Sequence, residues 1–290
     1  VDLSALTGQD LRTPAEWRAL IRRHNIRPDK RLGQHFLFDP TSLKTIVDAA
    51  GLTDEEPVLE IGAGVGTLTC ALAQRAEVVV AVEFDRRLLD ALNDAVRALE
   101  NVRVVSGDVL TLDLDEVTGG RQHAVVGNIP YNITSALVRK LMEARQPARV
   151  VVLTIQEEVA RRIVSRPGDM SLLALSVQLF GEPKLVTRLG RSLFWPVPDV
   201  DSAVLRIDMN DPGRRSPGHI DRIFALARAG FGQRRKQLKN SLSIGLSLPP
   251  DTVVAWLNDA DVDVRRRAQS LTLEEWDRLA EASKGSLRAD

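Results

Sequence analysis

Asn128-Ile129-Pro130-Tyr131 sets one amide, two carbonyls and one aromatic ring in succession at the end of an apolar run. Proline has no N–H and a fixed φ, so a turn through Pro130 is rigid and keeps neighbouring carbonyls out of sheet hydrogen bonds. The Asn128 side-chain oxygen, with the carbonyl of Ile129 or Pro130, can then accept both hydrogens of an exocyclic adenine amine while Tyr131 stacks on the purine. The same four residues also suit a plain strand-ending turn with a packed tyrosine, so their surroundings must decide.

Those surroundings read as the strand ends of an α/β sheet. His123 to Gly127 is a short buried strand, which puts the tetrapeptide at a C-terminal strand end, the edge where open α/β sheets bind ligands. Upstream, Glu60-Ile61-Gly62-Ala63-Gly64-Val65-Gly66 follows the strand-like Pro57 to Ile61 and precedes a helical pattern from Leu68 to Arg75. Gly62 and Gly64 allow close backbone approach to a ligand, and the helix start offers free N–H groups. The spacing is G-x-G-x-G, with Thr67 where the dinucleotide fingerprint wants its last glycine, so a nicotinamide cofactor is disfavoured. A run from Glu77 to Val82 ends in Glu83, placed to accept two ribose hydroxyls. Val102 to Val105 ends in Gly107-Asp108, whose carboxylate can hold a cofactor's adenine amine. Singly, Glu83 reads as a solvated charge and Asp108 as a turn cap; four such features at successive strand ends point to a nucleotide-like cofactor facing an adenine.

In these motifs the chain resembles the S-adenosylmethionine-dependent rRNA adenine N6,N6-dimethyltransferases. The likeness spans most of the sequence. Lys30-Arg31-Leu32-Gly33-Gln34-His35-Phe36-Leu37 looks like that family's cofactor-covering motif, and Glu60 to Gly66 like its glycine motif. Glu83, Gly107-Asp108 and Asn128 to Thr134 follow in the expected order. Gln156 to Ala160, Pro196-Val197-Pro198-Asp199-Val200-Asp201-Ser202-Ala203 and Phe231-Gly232-Gln233-Arg234-Arg235-Lys236 complete the series. The resemblance implies that His35, Leu37, Gly62, Glu83, Asp108 and Asn128 contact S-adenosylmethionine. It also implies methyl transfer to N6 of two adjacent adenosines in a hairpin loop near the 3′ end of 16S rRNA in the small ribosomal subunit, with a role in subunit biogenesis. Ala63 stands where the family usually has proline, which loosens the turn but removes no donor. His35 occupies a position held by His or Asn, so a hydrogen bond is its expected role. Gly168-Asp169-Met170-Ser171 replaces a common tyrosine-glycine pair, which bears on loop shape alone.

Extruding an adenine costs a few kcal/mol, and one aromatic stack returns about 1–3 kcal/mol. Beyond Tyr131, a second ring such as Phe180 or an already unpaired target closes that gap. Three rivals stay open: a large-subunit rRNA dimethylase, a non-catalytic ribosome-assembly factor that kept the fold, and a DNA adenine methylase. The last usually carries Pro-Pro where this chain has Ile129-Pro130. Asn132 and the Phe231 to Lys236 motif look more like the small-subunit branch.

The 290 residues, 44% of them apolar, suffice for one large α/β domain and a smaller appendix. Net charge is zero, but residues 212–240 carry eight Lys or Arg against Asp221 alone, and residues 12–31 carry seven against Glu16 and Asp29. Arg234, Arg235 and Lys236 are read as phosphate ligands. Cys70 is the only cysteine, which excludes a disulfide within the chain, and the four histidines lack metal-ligand spacing. No run approaches the ~18 apolar residues of a membrane span, so a cytoplasmic, metal-free protein is expected, and nothing demands a dimer.

Thr13-Pro14-Ala15-Glu16 opens a helix with a capping box, and Asp39-Pro40 starts another. Strands and helices then alternate from Pro57 to about Arg166, the pattern of a doubly wound parallel, Rossmann-like sheet. Leu172 to Phe180 and Ala203 to Met209 read as further strands. The turn-rich Asn210 to Gly218 reads as a linker, giving a catalytic domain over residues 1–211 and a helical RNA-binding domain over 212–290. Beyond it, His219–Phe231, Lys236–Leu246, Thr252–Asn258 and Leu273–Ala282 have helical spacing, the last opened by a capping box of Thr272 and Glu275.

Overall fold

The computed structural model describes residues 12–210 and 215–285, with Lys30 through its backbone alone. Asp211 to Arg214 of the expected linker lie outside the described residues. The chain divides into two compact units. One holds residues up to Ala160 together with Pro183–Met209, and the other holds Arg161–Glu182 and the residues from Asn210 onward. The second unit therefore starts close to the expected linker but also takes in a stretch that the sequence reading assigned to the first.

In chain order the first unit contains α1 (Pro14–Arg23), β1 (Phe36–Leu37), α2 (Pro40–Ala50), β2 (Val58–Ile61), α3 (Thr67–Leu72), β3 (Val79–Glu83) and α4 (Leu89–Val96). It continues with β4 (Val102–Ser106), α5 (Leu114–Thr118), β5 (Ala124–Asn128), α6 (Thr134–Met142) and β6 (Val150–Gln156). Next come α7 (Glu157–Ile163), which runs across the division, and α8 (Leu172–Gln178), which belongs to the second unit. The chain then returns through β7 (Gly181–Leu189), β8 (Phe194–Trp195) and β9 (Ser202–Met209).

The main sheet has the order β4-β3-β2-β5-β6-β9-β7. β2 to β6 pair in parallel, and β9 runs antiparallel to β6. Every residue of β2 and β3 is buried, as expected for strands covered on both faces. From β2 the chain builds outward to β3 and β4, then crosses back to β5. The strand direction of growth reverses between β2 and β5, and that switch point opens a crevice at the strands' C-terminal ends. The termini of the flanking helices follow local chemistry. Thr13 and Glu16 form the expected capping box on α1, and the Asp39 carboxylate caps α2 by accepting from Ser42 N at 2.8 Å.

Leu172–Phe180 is a correction: the stretch forms helix α8, not a strand. Ser171 caps it by accepting from Ala174 N at 3.1 Å, and Leu172, Leu175 and Leu179 recur at helical spacing on the second unit's core. An unbroken apolar run carries both periods, and the cap decides between them. The unpredicted β7 lies at the sheet edge, where the missing N–H of Pro183 is tolerated. The second unit adds α9 (Pro217–Gly232), α10 (Leu238–Leu246), α11 (Pro250–Asp259) and α12 (Leu273–Ala282), the last with its Thr272–Glu275 capping box. These helices pack with α8 around Trp276, Leu226, Leu242 and Leu257.

Two polar features of the core have consequences for behaviour in solution. Burial raises the Cys70 thiol to about 11, which keeps it protonated and unreactive. Glu60 in β2 is 1% exposed, and neither carboxyl oxygen has a hydrogen-bond partner among the described residues. Burial raises its pKa to about 8; the nearby Thr69 hydroxyl lowers it and the Glu83 charge adds to the rise. A carboxyl with a raised folded-state pKa gives full stability below its unfolded value, near 4.5, and loses it as pH climbs toward 8. Glu60→Gln is therefore expected to gain a few kcal/mol over the parent at pH 8 and little at pH 4.5, read from urea midpoints at both pH values.

Candidate active site

The crevice at the switch point is a cavity of about 340 Å³, within the range of small-molecule sites. Each of β2, β3, β4 and β5 sends residues at or just past its C-terminal end into the lining: Gly62 and Gly64, Glu83, Asp108, and Asn128 to Tyr131. The cover over one side comes from Leu32 to Phe36, the loop that leads into β1. Gly33 sits so close to the tetrapeptide that a Cβ on it would lie 3.2 Å from Pro130 Cβ. Sequence-distant motifs thus converge on one space.

The floor is the glycine turn. Gly62 has φ +75°, and a Cβ there would stand 3.4 Å from the Asn128 carbonyl oxygen; Gly64 has φ +61° and would meet the Phe36 ring at 3.2 Å. Both positions have a left-handed backbone that favours glycine, and a Cβ on Gly64 would also press on the Phe36 ring. Glu83 locks this turn in place, its two oxygens accepting from Gly64 N and Asp85 N at 2.7 Å each. Burial pushes the Glu83 carboxyl upward, and those backbone donors hold it back. Each oxygen keeps a further lone pair for a ligand hydroxyl. On the next strand end, Asp108 Oδ1 accepts from Leu110 N at 2.9 Å, closing an Asx turn that leaves Oδ2 without a donor among the described residues. Lys140 on α6 holds that loop from behind, donating to Leu110 O at 3.0 Å and Leu112 O at 2.6 Å.

The tetrapeptide has a defined polarity. Asn128 Nδ2 donates to the His35 carbonyl at 2.9 Å, so its Oδ1 remains as an acceptor. Ile129 N is bonded to Thr154 O at 3.0 Å, while its carbonyl takes no donor among the described residues. The Pro130 carbonyl already accepts from Ile133 N at 3.2 Å and Thr134 Oγ1 at 3.4 Å. Of the two carbonyls in question, Ile129 is the one left available. The Tyr131 ring stacks on His35 with centroids 5.9 Å apart, and the His35 Nδ1 pairs with the Pro196 carbonyl at 2.7 Å.

Eight of the cofactor and catalytic candidates therefore line one cavity through strand ends, and His35 joins them through the cover. Leu37 does not: its side chain is buried in the core, and its antiparallel partner in β8, Phe194, reaches the cavity instead. Phe180, expected as a second stacking ring, packs in the helical unit with its ring on Phe224 at 6.4 Å. Beyond Phe36 of the cover, the cavity's own further rings are Phe194, which is buried, and Phe84, which is 59% exposed. Neither stood out in the sequence: Phe194 lies outside the quoted motifs, and only its neighbour Glu83 drew notice to Phe84. Arg234, Arg235 and Lys236 are exposed in the turn between α9 and α10 and form no ion pair among the described residues. No helix among the described residues is long and apolar enough to cross a membrane.

Known proteins resemble this chain over most of its length. The family model described as ribosomal RNA adenine dimethylase matches residues 24–284. A ribosomal RNA small subunit methyltransferase A from Dehalococcoides mccartyi is 39% identical over 267 residues, covering 91% of each chain. The protein of that name from a Geobacillus strain is 37% identical over 288 residues, covering 95% of this chain and 98% of its own. Among solved structures, a dimethyladenosine transferase from Plasmodium falciparum superposes with a TM-score of 0.77 at 25% identity, over 88% of this chain and all of its own. The 23S rRNA methyltransferase ErmE does so with a TM-score of 0.69 at 32% identity, over 85% of this chain and 98% of its own. With glycine turn, acidic strand ends and Asn-Ile-Pro-Tyr gathered at one switch point, and a family match over nine-tenths of its length, this chain belongs to the ribosomal RNA adenine dimethylase family.

Proposed function

We propose that this protein transfers methyl groups from S-adenosylmethionine to N6 of two adjacent adenosines near the 3′ end of 16S rRNA, giving N6,N6-dimethyladenosine in the small ribosomal subunit. The observation that carries this reading is the fixed polarity of Asn128, whose amide nitrogen is spent on His35 while Oδ1 stays open beside the unpaired Ile129 carbonyl. Relatives matched over nine-tenths of their length carry the small-subunit name, which favours that substrate over the large-subunit one.

The cavity fits the family's cofactor. Gly62 and Gly64 leave a cradle that a Cβ would fill, Glu83 offers two buried acceptor oxygens for ribose hydroxyls, and Asp108 Oδ2 is open for an adenine amine. Phe84 adds an exposed apolar ring beside Glu83. S-adenosylmethionine, when bound, supplies an activated methyl group. The protein's own share is orientation. The lone pair of adenine N6 is delocalised into the ring and is a poor nucleophile. In the first transfer Asn128 Oδ1 and Ile129 O accept its two hydrogens and favour a more tetrahedral nitrogen, whose lone pair then turns toward the methyl donor; each N–C bond formed releases one N6 proton to solvent, so the second transfer uses the single N–H that remains. Holding reactants in such a geometry is worth about 7–11 kcal/mol. His35 covers one face of Tyr131, so a purine stacks on the other. Phe194 serves as the second ring that the cost of base extrusion calls for.

Lys140→Met keeps the aliphatic stem and removes the ammonium that holds the Asp108 loop. It is expected to raise the KM for S-adenosylmethionine roughly tenfold with kcat little changed, in steady-state assays. In the helical unit, Arg234, Arg235 and Lys236 serve as phosphate ligands. Their joint replacement by alanine should lower the slope of log affinity against log salt by about 2–3. A slope equal to the parent's removes them from the interface. The reaction itself is tested by mixing the protein and S-adenosylmethionine with undermethylated small subunits, or with large subunits, and analysing nucleosides by mass spectrometry. Dimethyladenosine confined to the small subunit is expected; its appearance only in the large subunit, or in neither, overturns the reading.

A further inference from the structure

The Pro196 to Ala203 motif lies on the far side of β6 from the tetrapeptide in the sheet order, yet it touches both rings of the site. Its Pro196 carbonyl pairs with His35 Nδ1 at 2.7 Å, and its Ser202 hydroxyl meets the Tyr131 phenol oxygen at 2.8 Å. Ser202 is completely buried and opens β9, paired in register with Gln156 at the end of β6. The residue before it is braced from three directions. Asp201 Oδ1 accepts from Arg191 N at 2.8 Å, its carbonyl accepts from Glu157 N at 3.0 Å, and its other carboxylate oxygen pairs with Arg188, which also bridges to Glu157 at 2.8 Å.

A buried hydroxyl is costly to keep without a partner, and the one side-chain partner of Ser202 among the described residues is the Tyr131 phenol. The tyrosine ring is therefore held at its tip by a rigid sheet position and along one face by His35. We propose that Ser202 is a positioning residue for the reaction: its hydroxyl fixes the plane of the Tyr131 ring before the target purine arrives. The inference rests on the reading of Tyr131 as the stacking ring and extends it to the group that orients that ring. A ring already held in the stacking plane loses little freedom when the base docks, which favours productive placement over simple binding.

Tyr131 is the only tyrosine of the chain, so the protein grown with 3-fluorotyrosine carries a single ¹⁹F probe at this position. Ser202→Ala is expected to shift or broaden that resonance, and Ser202→Thr, which keeps the hydroxyl, to return it toward the parent position. In assays on small subunits, Ser202→Ala and Tyr131→Phe should each lower kcat/KM for RNA about tenfold, with S-adenosylmethionine affinity within about twofold of the parent. The double variant should be no worse than Tyr131→Phe alone. A fluorine resonance unmoved in Ser202→Ala, losses that multiply in the double variant, or full activity of Tyr131→Phe would each overturn the proposal. The resonance needs no RNA, so a protein that leaves small subunits unmodified defeats the functional reading while the orientation of Tyr131 is still decided by the fluorine signal.

Discussion

Asn128→Ala is expected to bind S-adenosylmethionine within a few fold of the parent while methyl transfer falls by about 10²–10³, the range for removing one preorganised polar contact to a reacting group. The amide has two separate duties, and alanine removes both. Nδ2 ties the tetrapeptide to the His35 carbonyl at 2.9 Å, and Oδ1 is the acceptor proposed for the adenine amine. Asn128→Asp separates them, because a carboxylate still accepts from the amine but repels the His35 carbonyl it can no longer donate to. That variant should bind the cofactor yet transfer slowly, with the loss in kcat and not in KM for the cofactor. Isothermal titration with the cofactor and single-turnover methylation of small subunits measure the two quantities. Full activity of Asn128→Ala would remove the amide from the reaction.

Glu83→Ala is the counterpart on the cofactor side and should reverse the pattern. Its carboxylate anchors Gly64 N and Asp85 N at 2.7 Å and, in the proposed role, takes ribose hydroxyls on its remaining lone pairs, so alanine would remove those ligand contacts and free the glycine turn together. Hydrogen bonds to a charged group are worth roughly 1.5–3 kcal/mol each, which predicts a loss of cofactor affinity of about 10²-fold or more. Titration calorimetry reads it directly. Burial raises this carboxyl, so in the parent the ionised acceptor is lost at a higher pH than for an ordinary glutamate, and affinity should fall as pH drops through that raised value. A cofactor affinity unaffected by Glu83→Ala would place the ribose elsewhere.

Much of the fold was legible in composition along the chain. Parallel strands buried on both faces are apolar along most of their length, and Val58–Ile61 and Val79–Glu83 stand out for that reason despite the carboxylates of Glu60 and Glu83. Helix starts were legible where a side chain closes the first turn, as Thr13 and Thr272 do with their glutamates. Less was legible where an element depends on its surroundings. β7 alternates charged and apolar residues and contains Pro183, so only its place at the sheet edge makes it a strand. Leu172–Gln178 is apolar enough for either structure, and the cap by Ser171 together with a partner core of helices makes it α8.

Of the site, the sequence by itself determined which chemical groups are present and that they fall at successive strand ends, because strand period and glycine turns are local properties of a few residues. Only the tertiary structure decided how those groups are aimed. The Asn128 amide takes its direction from a carbonyl 93 residues away, and the Tyr131 phenol is held by a hydroxyl 71 residues away. Phe194 lines the cavity because β8 pairs with β1, and Phe180 packs half-buried among helices. Orientation is set by partners that close across the sheet, and no spacing along the chain encodes which of several available partners a side chain will meet.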